Sequence, residues 1–432
     1  MLRRLWTDWR AQPKTPGLQR AHALFDDGEF AAAAQAFAAV LREAPSATAW
    51  VNLGYCKIML RDFSDARSAF GHALVLHPEL AVARAGLGDI ALHQSNHALA
   101  LRHYDAALSS DAGLALVHHN RAQSLFALGR VAEAWRESEW RYQTPDAKNL
   151  YPHQMSIPRW KGETRPGRLL VHWEQGYGDI IQHLRFLPML DDRVEEYAFE
   201  CPPPLLRLLA RSLPAGKIVE ASTQIAGGAP FLAYVPLLSL PYVLGIDAGA
   251  LPNKPYLHGQ TKQADSLREH WSQAESTRAG ACLTGMVWRG SDFDPTRNAE
   301  LRDFAVLATP GVRLVSLQKE LGSSERDQLD TLNAVDASPL LVDFAATADA
   351  IAALDLVVTV DTAVAHLAGA MGKPVLLLLN EPCAVRWMVA GERTPWYPSM
   401  HLVRKRAEES WAGLLNQAAT LISRTSFKTA QL

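Results

Sequence analysis

The sequence predicts an all-helical repeat array followed by two α/β units, each built on a parallel sheet. Three observations carry that expectation. Small and aromatic residues recur at a fixed phase through the first third. The periodicity is then lost from about residue 142, in a proline-containing stretch that reads as a connection. From Leu169 onward, short apolar runs alternate with helix-like stretches. A chain of 432 residues has room for two to four domains. The expected boundaries are 14–148 for the repeats, 149–167 for a linker, 168–275 for the first α/β domain and 276–424 for the second.

In the first third, Trp50, Leu53, Gly54, Ala66, Phe70, Ala73 and Pro78 stand in the order and spacing of a tetratricopeptide unit. One repeat later come Leu87, Gly88, Ala100, Tyr104 and Ala107, and another repeat on, Ala122, Gly129 and Ala134. One repeat earlier, Gly28, Ala33, Phe37 and Pro45 recur with a one-residue shortening. Small residues let antiparallel helices approach, the aromatic fills the gap between neighbouring units, and proline stops the second helix. About four units are expected, the outer two degenerate, and such an array usually docks a protein partner. His72, His77, His93, His97, His103, His118 and His119 enrich the region in histidine without a metal-ligand spacing, so no metal site is expected.

Composition narrows the function classes. A 48% hydrophobic and 20% charged chain is that of a soluble globular protein. A formal net charge of −2 leaves no electrostatic footprint for nucleic acid or an anionic membrane. No apolar run is long enough for a transmembrane segment, and the basic start MLRRLWTDWRAQPK lacks the apolar core of a secretory signal. Cys56, Cys201, Cys282 and Cys383 are scattered, which suggests reduced thiols in a cytoplasmic protein.

In the second part, RLLVHW, YAFE and PFLAYV read as strands between helical stretches. After a polar segment near 258–280 the alternation restarts with CLTGMVW, VRLVSLQ, PLLVDF, LDLVVTV and PVLLLL. Two doubly wound sheets follow from this order. Ligands then bind beyond the carboxyl ends of the strands, in a cleft between the sheets.

Two stretches carry chemistry. Gly176-Tyr177-Gly178-Asp179 occupies a strand-to-helix turn, where amides can approach a ligand and the helix N-terminus favours negative charge. A dinucleotide fingerprint would need a third glycine where Ile181 stands. Asp179 then reads as a helix cap or as a base beside the turn. Further on, the apolar LVVTV ends in Asp361-Thr362, and His366 follows one helical turn later. Asp361 can accept from sugar hydroxyls, and Thr362 with the first helix amides can hold a phosphate. The plainer alternative is that Asp361 and Thr362 cap the helix and His366 is a half-buried packing residue.

The two motifs together resemble the heptosyltransferase-like glycosyltransferases of family nine, and more closely bacterial proteins that join tetratricopeptide repeats to such a domain. The matching segments are WEQGYGDIIQHLRFLP, ECPPPLLRLL, VPLLSLP, VSLQKE, VDTAVAHLAGAMGKPV and TPWYPSM. The resemblance implies a GT-B fold, two Rossmann-like domains facing a cleft, with acceptor on the first and nucleotide-sugar donor on the second. It makes Asp179 the candidate general base. It makes Asp361, Thr362 and His366 the donor-binding motif and puts Gln318 beside the nucleotide; Gly176, Gly178 and Arg289 complete the donor set. The nucleotide-sugar is a substrate, and neither cofactor nor metal is implied. In related chains, an Arg-Ser pair after the V-W-x-G motif brings a cation to the phosphates. Here the segment reads VWRGSDFDPTRNAELRDF, which leaves Arg289, Arg297 or Arg302 as substitutes. Asp292 and Asp294 add negative charge there and motivate an alternative, a repeat scaffold whose glycosyltransferase domain no longer turns over. The primary expectation is a metal-independent glycosyltransferase acting on a hydroxyl acceptor recruited by the repeats.

Overall fold

The computed structural model describes residues 15–144, 157–221, 230–273, 280–291, 294–406 and 409–424. These form two compact units, one of the residues up to 154 with 384–389, the other of the remainder.

The first unit is helical. Among its described residues, α1 (Pro16–Asp26), α2 (Phe30–Glu43), α3 (Ala47–Met59), α4 (Phe63–Leu76), α5 (Ala81–His93), α6 (His97–Ser110), α7 (Ala115–Ala127) and α8 (Val131–Ser138) stack as successive antiparallel pairs. Side-chain caps set their starts: Ser46 accepts from the Ala49 amide, Asp62 from Asp65 and Asn96 from Leu99. The repeat residues do the packing that their phase predicts. A Cβ on Gly54 would lie 2.7 Å from the Phe70 ring, and one on Gly88 would lie 2.5 Å from Tyr104. Each aromatic therefore sits on bare helix backbone.

A polar cluster lies inside this stack. Asp89 is 1% exposed and accepts from the Tyr104 hydroxyl at 2.7 Å and from Asn120 Nδ2 at 2.9 Å. Two of the histidines are engaged locally: His72 stacks on Trp50, and His118 stacks on Trp140 while pairing with Glu137.

The second unit holds two all-parallel sheets. The first has the order β3-β2-β1-β4, with β1 (Arg168–His172), β2 (Glu196–Cys201), β3 (Ile218–Glu220) and β4 (Ala233–Pro236). The second has the order β10-β9-β8-β5-β6-β7, with β5 (Cys282–Val287), β6 (Val312–Ser316), β7 (Val335–Asp336), β8 (Leu356–Val360), β9 (Val375–Leu379) and β10 (Met400–Arg404). β8 and β9 are buried throughout, as a central strand covered on both faces must be. Helices α9 (Tyr177–His183), α10 (Pro203–Ser212), α11 (Thr261–Ser272), α12 (Ser323–Thr331), α13 (Phe344–Ala353), α14 (Ala363–Ala370) and α15 (Trp411–Arg424) lie between and after the strands.

Local structure departs from the sequence reading in three places: the edge strands β3 and β10 are not among the expected strands, and one expected strand is absent. PLLVDF is not a strand: Ser338–Leu340 is a short 3₁₀ turn, Val342 is 66% exposed, and Asp343 caps α13 by accepting from the Ala346 amide. The edge strand is Val335–Asp336, which pairs with β6. An aspartate one residue before a helix is a stronger signal than three neighbouring apolar residues. Of the stretch expected as a linker, 149–156 lies outside the described residues. Trp160 is buried against the first sheet, its amide donating to Tyr234 O.

Candidate functional site

Strand order fixes where a ligand can sit. In the first sheet the winding reverses between β1 and β4, and in the second between β5 and β8. A crevice opens where successive connections leave to opposite faces, beyond the carboxyl ends of those strands. Gly176–Asp179 follows β1, Arg289 follows β5 and Asp361-Thr362 follows β8. Both sequence motifs thus stand at switch points.

The turn after β1 runs into α9. Its N-cap is Gly176, and Asp179, three residues on, accepts from the Gly176 amide at 3.3 Å. Asp179 is therefore not the N-cap residue; it reaches back from the first turn to hold the capping amide, because glycine offers no side chain of its own. The carboxylate is half-buried.

After β8, Thr362 is the N-cap of α14 but makes no side-chain capping bond; its hydroxyl lies 3.2 Å from that of Thr359. The first amides of the helix have no acceptor within it and point beyond β8. Asp361 is 8% exposed, and its Oδ1 is 3.8 Å from His366 Nε2. His366 is 2% exposed, so it is fully rather than half buried, and its Nδ1 lies 3.0 Å from the Tyr397 hydroxyl.

These two turns meet. A Cβ on Gly178 would stand 2.8 Å from His366 Cδ2 and 3.7 Å from Ala363 Cα. Glycine is what lets the start of α9 close on the start of α14. Further contacts hold the sheets together on the same side: Arg211 pairs with Asp349 at 3.0 Å, and Arg207 pairs with Asp343 at 3.1 Å.

The second-sheet residues sort themselves by partner. Gln318, just past β6 and 8% exposed, accepts from the Arg289 amide at 3.3 Å and so fixes the loop after β5. The Arg289 guanidinium is bound by Glu325, which also accepts from Trp288 Nε1 and from the Gly322 amide. Burial works against ionisation of Glu325, but those donors outweigh it and hold its carboxyl below the usual range. Arg302 forms an exposed pair with Glu300. Arg297 packs on Gly290, donates from Nη2 to Ser291, and has a buried Nε with no hydrogen-bond partner among the described residues. Asp294 accepts from the amide and hydroxyl of Thr296 and caps a short turn; Asp292 lies outside the described residues.

Two stretches of the chain match known families. Residues 311–422 match the family model for Glycosyltransferase family 9 (heptosyltransferase), and residues 18–57 and 59–115 match that for the tetratricopeptide repeat. The chain joins tetratricopeptide repeats to a family 9 glycosyltransferase domain. Protein FlbA of Caulobacter vibrioides is 28% identical over 416 residues, 87% of this chain and 67% of that protein. Among solved structures, a family 9 glycosyl transferase from Veillonella parvula aligns at 12% identity and a TM-score of 0.41, over 62% of this chain and 97% of its own. MamA aligns at 20% identity and a TM-score of 0.27, over 35% of this chain and 90% of its own.

In the second unit, sequence reasoning missed the role of Arg185. This arginine is 3% exposed and continues from α9 into a 3₁₀ turn, Leu184–Leu190. It donates to Gln182 O, Pro252 O and Trp396 O, the last at 2.6 Å, and to the Tyr256 hydroxyl at 3.2 Å. It lies inside the segment WEQGYGDIIQHLRFLP, but nothing there marks its role, because its partners beyond Gln182 come from two distant stretches, 252–256 and Trp396. Among the described residues, no helix is long and apolar enough to cross a membrane.

Proposed function

We propose that this chain transfers a sugar from a nucleotide-diphosphate sugar to a hydroxyl acceptor in the cytoplasm, and that the repeats recruit the protein that bears the acceptor. The supporting observation is the contact between Gly178 and His366, which sets the Asp179 turn beside the N-terminus of α14. Asp179 takes the proton of the acceptor hydroxyl as its oxygen bonds to the anomeric carbon. The bond from that carbon to the diphosphate breaks, and the nucleoside diphosphate leaves with the electron pair. The amides at the start of α14 and a nearby guanidinium stabilise the charge that develops there. Asp361 accepts from sugar or ribose hydroxyls, and Gln318 keeps the loop after β5 in place for the nucleotide. Arg297, whose buried Nε lacks a partner among the described residues, is the better cation for the diphosphate than Arg289, which Glu325 neutralises.

That neutralised Arg289 also favours a second reading, a scaffold that binds proteins without turnover. Thermal shift with UDP-, ADP- and GDP-sugars separates the two, followed by donor hydrolysis with the wild type and Asp179→Ala. Donor-dependent stabilisation, with nucleotide release that the variant loses, is the expected result. Failure to bind any of the three would leave the scaffold.

A further inference from the structure

The TPWYPSM segment contributes more than packing to this cleft. Tyr397 is 1% exposed and lies flat on α14, where a Cβ on Gly369 would be 2.5 Å from its Cγ. Its hydroxyl meets His366 Nδ1 at 3.0 Å, with the two rings edge to face at 5.8 Å. The Arg185 guanidinium sits 4.7 Å from the centre of the Tyr397 ring and 5.2 Å from that of Tyr256. Tyr256 in turn accepts from Arg185 and donates to Ile181 O at 2.8 Å, in the helix that carries Asp179. A chain of contacts thus runs from α9 through Arg185 and Tyr397 to the imidazole.

We propose that Tyr397 is a positioning residue for His366: its hydroxyl donates to Nδ1 and so fixes the neutral imidazole with its proton on Nε2, aimed at Asp361 and the crevice. Proton accounting supports this assignment. The Tyr397 hydroxyl also meets Tyr256 and Arg185. The Tyr256 proton is committed to Ile181 O, so the Tyr397 proton has two acceptors, the Tyr256 oxygen and His366 Nδ1, and the group beside Nε2 decides between them. Asp361 Oδ1 stands 3.8 Å from Nε2, where a carboxylate favours an N–H and repels a lone pair. Burial raises the Tyr397 phenol well above its ordinary value, so its proton is present throughout the working range of pH. His366 then acts as a hydrogen-bond donor toward the crevice and not as a base. Arg185, continuing from the Asp179 helix and lying over Tyr397, holds the tyrosine against α14. The value of this arrangement for sugar transfer rests on the function proposed above; the tautomer does not.

The test is nitrogen NMR of the full chain labelled with ¹⁵N-histidine, with His366 assigned by its loss in His366→Gln. In the wild type, Nδ1 should resonate as an acceptor nitrogen and Nε2 as a protonated one. In Tyr397→Phe, which keeps the ring over Gly369, the signals should move toward a mixture of tautomers while the melting temperature stays close to that of the wild type. Where donor turnover is present, the same variant should lower kcat about tenfold with little change in donor KM, as expected for the loss of one hydrogen bond of about 1–1.5 kcal/mol. A wild-type imidazole protonated on Nδ1, or signals that Tyr397→Phe leaves unmoved, would overturn the proposal. The wild-type spectrum alone decides it if the variant does not fold. Absence of donor turnover would count against the glycosyltransferase reading and leave the tautomer result intact.

Discussion

Gly178 and His366 are in contact across the two sheets: a methyl group on the glycine would come within 2.8 Å of His366 Cδ2 and 3.4 Å of Nε2. Asp179 is the next residue in the chain. The Asp179 turn is therefore set directly against the start of α14.

Replacing Gly178 with alanine should force α9 and α14 apart. The expected cost is about 1–3 kcal/mol of stability, as for overpacking, with a larger loss in donor hydrolysis than in melting temperature. Hydrolysis that survives unchanged in a well-folded Gly178→Ala protein would separate the contact from function.

Asp179 holds an amide as well as serving as the proposed base, and two variants separate those roles. Asp179→Ala should lose about 0.5–1.5 kcal/mol of stability with the Gly176 hydrogen bond and about 10²–10⁴ in transfer rate. Asp179→Asn should restore most of the stability and none of the rate. Equal rescue of both by asparagine would reduce Asp179 to a capping residue.

Arg297 and Arg302 make a matched pair. Arg297→Ala should weaken nucleotide-sugar binding by about 10–100-fold, the scale of a charged hydrogen bond of about 1.5–3 kcal/mol. Arg302→Ala, which breaks only an exposed pair with Glu300, should leave binding within a factor of about two. The opposite order, read by titration calorimetry, would move the phosphate site.

The repeats carry a pH-sensitive group. Burial pushes the Asp89 carboxyl up to about 6 from 3.8, against hydrogen bonds from Tyr104, Asn120 and Tyr55. The folded state holds this proton more tightly than the unfolded chain. The stabilising contribution is complete below about pH 4 and is lost as the pH rises through about 6. Relative to Asp89→Asn, the wild type should lose about 3 kcal/mol over that window, since one pKa unit corresponds to about 1.4 kcal/mol. Paired melts of the two proteins at several pH values measure it; a constant difference would mean that Asp89 titrates normally.

Much of this was legible in the residues themselves. The phase of Gly54, Phe70, Gly88 and Tyr104 marks helix contacts because an aromatic needs bare backbone opposite it, so local spacing encodes a tertiary fact. The β8–α14 turn was legible because a fully apolar run that ends in Asp361-Thr362 marks a buried strand handing over to a helix. The strand misread at PLLVDF fails because three apolar residues look alike whether or not they pair; exposed Val342 and the capping Asp343 decide otherwise. Arg185 and Tyr397 lie in the quoted segments WEQGYGDIIQHLRFLP and TPWYPSM, but what they do there was out of reach. Their roles come from partners at 181–182, 252–256, 366 and 396, brought together only by the close approach of two sheets. Among the three arginines left open, only the partners of each could choose.

A crystal structure with a bound nucleoside diphosphate tests the central claim most directly. The phosphates should lie at the N-terminus of α14, within hydrogen-bond reach of Thr362 and on the side faced by Asp179. A nucleotide seated elsewhere, or a crevice that stays empty at saturating concentrations, would contradict it.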